Sequence, residues 1–199
     1  MRILVTGFAP FGASRVNPSW EAVRRLPAEI GEHEVVTAQL PVEYGRAGDL
    51  LAELIARHAP DCVLCVGQAA GREGISLENT AVNVRAANAP DNAGVTYSGS
   101  PVVEGGPESL PARLPLKELS FVLREAGLQA KISYSAGTYV CNDVFYRLMY
   151  YIATEETAML GGFIHIPPDA EQAADFAPGT PTLPTAEVVR ALKLCIASL

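Results

Sequence analysis

The feature that most constrains this chain is the uninterrupted apolar run Cys62-Val63-Leu64-Cys65-Val66, opened by Asp61 and closed by Gly67. A strand with one wet face alternates apolar and polar residues. A strand that is apolar at every position is buried on both faces, as in parallel sheets covered by helices. The rest of the chain supplies the parts for such a sheet. Extended runs are expected at Arg2 to Phe8, Glu34 to Leu40, Asp61 to Val66, Ala130 to Ser135 and Leu160 to Ile166. Helical stretches fall between and after them. Asn17-Pro18-Ser19 opens one that runs to about Leu26, with Asn17 as cap and Pro18 at the first helical position. Glu43 to His58 is amphipathic through Leu50, Leu51, Leu54 and Ile55. Leu116 to Ala126 is stopped by Gly127, and Thr185 caps a last helix to about Ser198.

The order is β-α-β-α-β, an irregular β insert, then α-β-α-β-α. That order predicts an α/β fold over residues 1–199, a single αβα domain with a mainly parallel sheet between helix layers. The insert lies around residues 75–111. Ile75 to Val84 reads as extended, and Asn88 to Pro111 is rich in Gly, Pro and Asn, as in short hairpins or a lid.

Composition removes several classes of function. With 199 residues, 49% hydrophobic and 19% charged, the chain can bury a full core. A net charge of −7 and the lack of any Lys/Arg run argue against binding nucleic acid or an anionic membrane. No apolar stretch reaches the ~20 residues of a membrane span. Met1 to Gly7 reads as a first strand and not as a signal peptide, so the four cysteines are expected to be free thiols of a cytoplasmic protein. Cys62 and Cys65 form a C-x-x-C inside a strand, where residues i and i+3 point to opposite faces, which speaks against a metal or redox pair. Thr6-Gly7-Phe8-Ala9-Pro10-Phe11-Gly12 lacks the ending of a phosphate loop. Its two phenylalanines either plug the core or wall an apolar pocket. Gly67-Gln68-Ala69-Ala70-Gly71-Arg72 leaves the central strand at the same sheet edge, where open α/β sheets place ligands.

The chemistry gathers at Ser135-Ala136-Gly137-Thr138-Tyr139-Val140-Cys141-Asn142. Val140, Val144, Leu148 and Ile152 recur every four residues and mark a helix that begins here, with Gly137 and Thr138 as turn and cap residues. Cys141 then sits in the first turn, where free N–H groups and the helix dipole favour a thiolate. The alternative is an inert core cysteine. Of three histidines, His33 lies in a charged turn and His58 in the last turn of a helix. His165 ends the run Phe163-Ile164-His165-Ile166-Pro167. It is either a satisfied core histidine or the base that a nucleophilic cysteine requires. A carboxylate would orient it. Glu78, Asp143 and Asp61 are the candidates, and spacing alone does not choose among them.

These segments together resemble pyroglutamyl peptidase type I, the pyrrolidone carboxyl peptidase family of cysteine peptidases. The matching motifs are Val5 to Gly12 with Asn17-Pro18-Ser19; Leu40-Pro41-Val42; Val66 to Arg72; Ser76-Leu77-Glu78 with Ala81-Val82-Asn83; Pro90 to Gly94; Ser135 to Asn142; and Phe163 to Pro167. The resemblance implies Cys141 as nucleophile, His165 as base and Glu78 as orienting acid. It places Phe8, Phe11, Gln68, Val42, Tyr139 and Val140 around a pyroglutamyl pocket. It also implies a fold like that of the nucleoside phosphorylases, a tetramer, no metal or organic cofactor, and N-terminal pyroglutamyl peptides as substrates. One position departs. The family often has an arginine shortly ahead of Pro90 that supports the oxyanion, and here the aligned residue is Asn88, with Arg85 a second possibility.

Two other classes stay open at this point. One is a phosphorylase-type enzyme on the same fold, using Arg72 and Arg85 as an anion site. The other is a lactam-binding protein with weak catalysis, motivated by Asn88.

Overall fold

The computed structural model describes residues 1–199, apart from the side chains of residues 173 and 174. In chain order its elements are β1 (Arg2–Phe8), α1 (Pro18–Val23), β2 (Glu29–Ile30), β3 (His33–Leu40), α2 (Arg46–His58), β4 (Cys62–Gln68) and β5 (Ile75–Glu78). Three short strands follow in the insert, β6 (Thr80–Val82), β7 (Arg85–Ala87) and β8 (Tyr97–Ser100), and then β9 (Ser109–Pro111). The second half holds α3 (Leu116–Glu125), β10 (Ala130–Ser133), α4 (Val140–Thr154), β11 (Leu160–Ile166) and α5 (Thr185–Ala197).

Seven strands make one sheet in the order β10-β5-β11-β4-β1-β3-β2. The fully apolar strand β4 is its middle strand, parallel to β1 on one side and to β11 on the other. The alternation of side chains divides the core in two. Ile3, Val5, Cys62, Leu64 and Val66 pack with α1, α3 and α5, while Leu4, Val63, Cys65 and Phe163 pack with α2 and α4. Cys62 and Cys65 therefore lie in different cores, as their spacing requires. Gly161 and Gly162 keep β11 thin. A Cβ on Gly161 would come within 2.5 Å of Ile152, and one on Gly162 within 2.4 Å of Leu114.

The sheet departs from all-parallel at two places. β2 pairs antiparallel with β3, and β5 runs antiparallel to β11 while parallel to β10. The expected extended segment from Ile75 to Val84 breaks at Asn79, whose N–H donates to Ser133 O at 2.6 Å. Beyond it, β6 pairs with β9 and β7 with β8, so the insert does form short antiparallel ribbons.

Helix caps show where local reading fell short. Asn17 caps α1 as expected, accepting from Ser19 N at 3.1 Å. Thr185 does not cap α5. It is the first helical residue, and the cap is Asp169, whose Oδ2 accepts from Thr185 N at 2.6 Å and from Thr185 Oγ1 at 2.5 Å. Thr138 does not cap α4 either, because its hydroxyl donates to Ala86 O across the insert.

Candidate active site

The C-terminal ends of β1, β4 and β11 meet the N-terminus of α4 at one edge of the sheet. Gly137, at φ 76°, turns the chain there in the left-handed region that glycine tolerates. The extended Tyr139 then leads into α4, so Cys141 falls in the first turn. Cys141 is half-buried, and its sulfur hangs over Gly67 of β4. A methyl group placed on Gly67 would lie 2.9 Å from Cys141 Sγ and 2.8 Å from Cζ of Phe163.

His165 is the register partner of Gly67 on the next strand. Phe163 and His165 alternate with Ile164, so both side chains face the α4 layer. Their rings sit 4.8 Å apart. The Cys141 sulfur and the imidazole thus share one face of the sheet and flank the same glycine.

The antiparallel turn of β5 brings in the acid. Glu78 is opposite Phe163, and Ser76 is opposite His165. The small Ser76 lets Glu78 reach diagonally to the imidazole, and Nδ1 of His165 lies 2.9 Å from Glu78 Oε1. A carboxylate only accepts, so Nδ1–H is the donor, which leaves Nε2 as the free base. Both groups are buried, Glu78 fully and His165 at 3% exposure. Arg72 completes the pair, 3.2 Å from the same Oε1.

The rival carboxylates are engaged elsewhere. Asp143 accepts from Arg85 Nε at 2.5 Å and from Gly45 N at 3.2 Å. Asp61 accepts from Arg2 N at 2.7 Å, at the N-terminal end of β1. His33 sits against the chain's N-terminal amine. The arginines expected to form a phosphorylase-type anion site are likewise held apart. Arg72 is bound at Glu78, and Arg85 is bound at Asp143 and stacked over Tyr97. Free cationic groups are what an anion site would need.

Two influences on Cys141 oppose one another. Burial pushes the Cys141 thiol up to about 12, and Cys65 and Glu78 push the same way. A backbone hydrogen bond at Cys141 opposes them and is outweighed. That direction favours the thiol form, in which a base would have to take the proton before the sulfur could attack.

Beside Cys141 opens a small cavity of about 30 Å³. Phe8, Phe11, Val42, Gln68, Tyr139 and Val140, all expected around the pocket, line it. Asn17 lines it as well and was not foreseen there, because its capping role accounted for it. Gln68 Oε1 is buried with no hydrogen-bond partner among the described residues. The turn Pro90 to Gly94 is tied to residues at the cavity. Asn92 N donates to Val42 O at 2.9 Å, Asn92 Nδ2 to Pro10 O at 2.9 Å, and Tyr139 Oη to Pro90 O at 2.9 Å.

Asn88 does not join this arrangement. It is exposed just past the end of β7 and does not line the cavity. Its neighbours are tied to the loop that leads to Cys141, Ala86 N donating to Thr138 O at 3.0 Å and Tyr139 Oη to Pro90 O at 2.9 Å, while Arg85 is paired with Asp143. The N–H groups of the first turn of α4, which have no intrahelical acceptors, stand at Cys141.

A sequence profile of the family described as pyroglutamyl peptidase matches residues 1–199. The chain is 46% identical over 199 residues to a pyrrolidone-carboxylate peptidase of Streptomyces coelicolor, covering 99% of this chain and 91% of that one. It is 44% identical over 196 residues to the pyrrolidone-carboxylate peptidase of Thermococcus onnurineus, covering 98% and 97%. Among solved structures, pyroglutamyl peptidase I of Bacillus amyloliquefaciens superposes with a TM-score of 0.95 at 40% identity, covering 99% of this chain and 94% of that one.

Proposed function

The chain belongs to the pyroglutamyl peptidase family, and from that membership and the site we infer that it is a cysteine omega peptidase, a pyroglutamyl-peptidase I. It removes an N-terminal 5-oxoproline from peptides and small amides. The observation that carries the mechanism is the buried Glu78–His165 pair on the face where Cys141 overlies Gly67, next to an apolar cavity with one open acceptor.

The lactam ring is neutral and has no ammonium. It fits the walls made by Phe8, Phe11, Val42, Tyr139 and Val140, and its N–H donates to Gln68 Oε1. Nε2 of His165 takes the proton of Cys141 as Sγ attacks the carbonyl carbon after the ring. Glu78 holds the imidazole in place and stabilises the imidazolium. The tetrahedral oxyanion is held by N–H groups of the first turn of α4. His165 returns the proton to the departing amine, the C–N bond breaks, and a thioester remains. Water, deprotonated by His165, then attacks the thioester and releases 5-oxoproline and the free thiol.

Residues 1–199 act as one catalytic domain in this reading, and no metal or organic cofactor enters the chemistry. Free Cys62, Cys65, Cys141 and Cys195 support a cytoplasmic location, and among the described residues no helix is long and apolar enough to cross a membrane. A homo-tetramer follows from the resemblance, and sedimentation of the purified chain tests it. The activity is tested with a chromogenic pyroglutamyl amide, with and without a thiol alkylator. Hydrolysis that the alkylator abolishes is expected. No hydrolysis by the untreated protein, or full hydrolysis after complete alkylation, would overturn the assignment.

A further inference from the structure

We propose that Arg72 is a positioning residue of the reaction, a single guanidinium that fixes the acid of the site to the loop carrying its nucleophile. The proposal deepens the cysteine-peptidase assignment and rests on it.

Arg72 leaves β4 in the loop that follows Gln68 and reaches three structures at once. Its Nη2 lies 3.2 Å from Glu78 Oε1, the same oxygen that accepts from His165. The same nitrogen donates to Ser135 O at 2.8 Å. Nη1 donates to Ser133 Oγ at 2.9 Å and to Ser76 Oγ at 3.4 Å. Ser135 stands two residues past the end of β10 and six before Cys141, in the turn that delivers α4. Ser76 is the register partner of His165. The guanidinium therefore ties β5, β10 and the nucleophile's approach into one network, and its side chain is only 22% exposed.

The chemistry gives it two effects. The fork geometry holds Glu78 in its diagonal reach to His165, and the grip on Ser135 O sets where α4 begins over Gly67. The positive charge also lies beside the carboxylate oxygen that accepts from Nδ1–H of His165 and so supports that acceptor when the imidazolium forms. Lysine could supply the charge but not the fork, since one ammonium cannot span Glu78, Ser133 and Ser135 together.

The test uses Arg72→Gln and Arg72→Lys in the full chain, assayed on a pyroglutamyl amide from pH 5 to pH 9. Activity of the unaltered enzyme judges the assignment itself, and the variants judge Arg72. Arg72→Gln is expected to lower kcat by roughly 10- to 100-fold with KM within about twofold, because the lactam pocket does not contain Arg72. It also moves the acidic limb of kcat/KM to higher pH. Loss of a cation favours the protonated form of each group that faces the pair, namely Glu78 from β5, His165 from β11, Cys141 from α4 and Cys65 from β4. Arg72→Lys is expected to lower kcat while leaving that limb in place, separating fork from charge. Adding Arg72→Gln to Glu78→Gln is expected to cost less than Arg72→Gln costs alone, since part of the residue's effect passes through Glu78 and the rest through Ser135. Three results would each overturn the proposal: fully additive losses, a change confined to KM, or an acidic limb unmoved in Arg72→Gln. If Arg72→Gln fails to fold, Arg72→Lys decides: a kcat equal to that of the unaltered enzyme would overturn the proposal.

Discussion

Gly67 offers the sharpest single perturbation of this site. It lies in an extended strand, and its φ is outside the left-handed region, so alanine meets no backbone objection there. Space is the objection. The new Cβ would stand 2.9 Å from Cys141 Sγ and 2.8 Å from Phe163 Cζ. Ordinary contact needs about 3.5–4.0 Å, so the sulfur or the ring must retreat by roughly 0.6–1 Å. Phe163 is fully buried against Phe8 and Phe145, so it has little room to yield. The sulfur borders the cavity and is the group that moves. A displacement of about 1 Å from the attack geometry costs on the order of 100-fold in rate. Overpacking costs about 1–3 kcal/mol in stability, which leaves the chain folded. Gly67→Ala is therefore expected to unfold in a cooperative melt a few degrees below the unaltered chain while kcat on a pyroglutamyl amide falls about 100-fold. A folded Gly67→Ala enzyme with kcat within threefold of the original would refute the placement of Cys141 over β4.

Other expectations follow from the same geometry. Prolyl and glutaminyl amides should be cleaved at least ~10³-fold more slowly than the pyroglutamyl amide by kcat/KM, since each buries an uncompensated ammonium and proline also leaves Gln68 unpaired. Gln68→Leu should narrow that gap, and an unchanged gap would remove Gln68 from recognition. His165→Ala should be nearly as damaging as loss of the thiol and Glu78→Gln less so, because an amide positions the ring but stabilises an imidazolium poorly; a Glu78→Gln enzyme equal to the original would mean the acid lies elsewhere. Burial pushes Cys62, Cys65 and Cys195 from the ordinary thiol value near 9 up to about 12. Above pH 9 the unfolded chain releases these protons while the native chain keeps them, so stability falls as pH rises towards 12. Three thiols together set a limiting slope of about 4 kcal/mol per pH unit. Urea unfolding under reductant at about pH 8.5 and pH 10.5 measures it, and equal stability at the two would contradict the burial of the thiols.

Most of the framework was legible because it is periodic. The all-apolar β4 announced the buried sheet, and the four-residue repeat from Val140 announced α4 with Cys141 in its first turn. Asn17 capped α1 as read because its partner is two residues away. Asp169 was missed as the cap of α5 because it lies 16 residues from Thr185, beyond any local pattern. The reversed direction of β5 is another long-range fact, and it is what sets Glu78, and not Asp143 or Asp61, against His165. Spacing in a sequence carries no register between distant strands. The resemblance supplied Glu78, and the geometry supplies its physical reason. The helix start at Cys141 is a local signal that favours a thiolate, whereas its burial beside Cys65 and Glu78, which pushes the other way, comes from segments distant in sequence. Asn88 was placed by resemblance alone; it is exposed just past β7, in a segment tied to Thr138 and Tyr139 ahead of Cys141.

The central claim is that Cys141 is the nucleophile and becomes acylated. Acid quenching during turnover of an activated pyroglutamyl ester, followed by peptide mapping, tests it most directly. One 5-oxoprolyl group is expected on the peptide containing Cys141, accumulating before release, and none is expected in Cys141→Ala, which should be folded and inactive. An acyl group on any other residue, or full turnover by Cys141→Ala, would contradict the account.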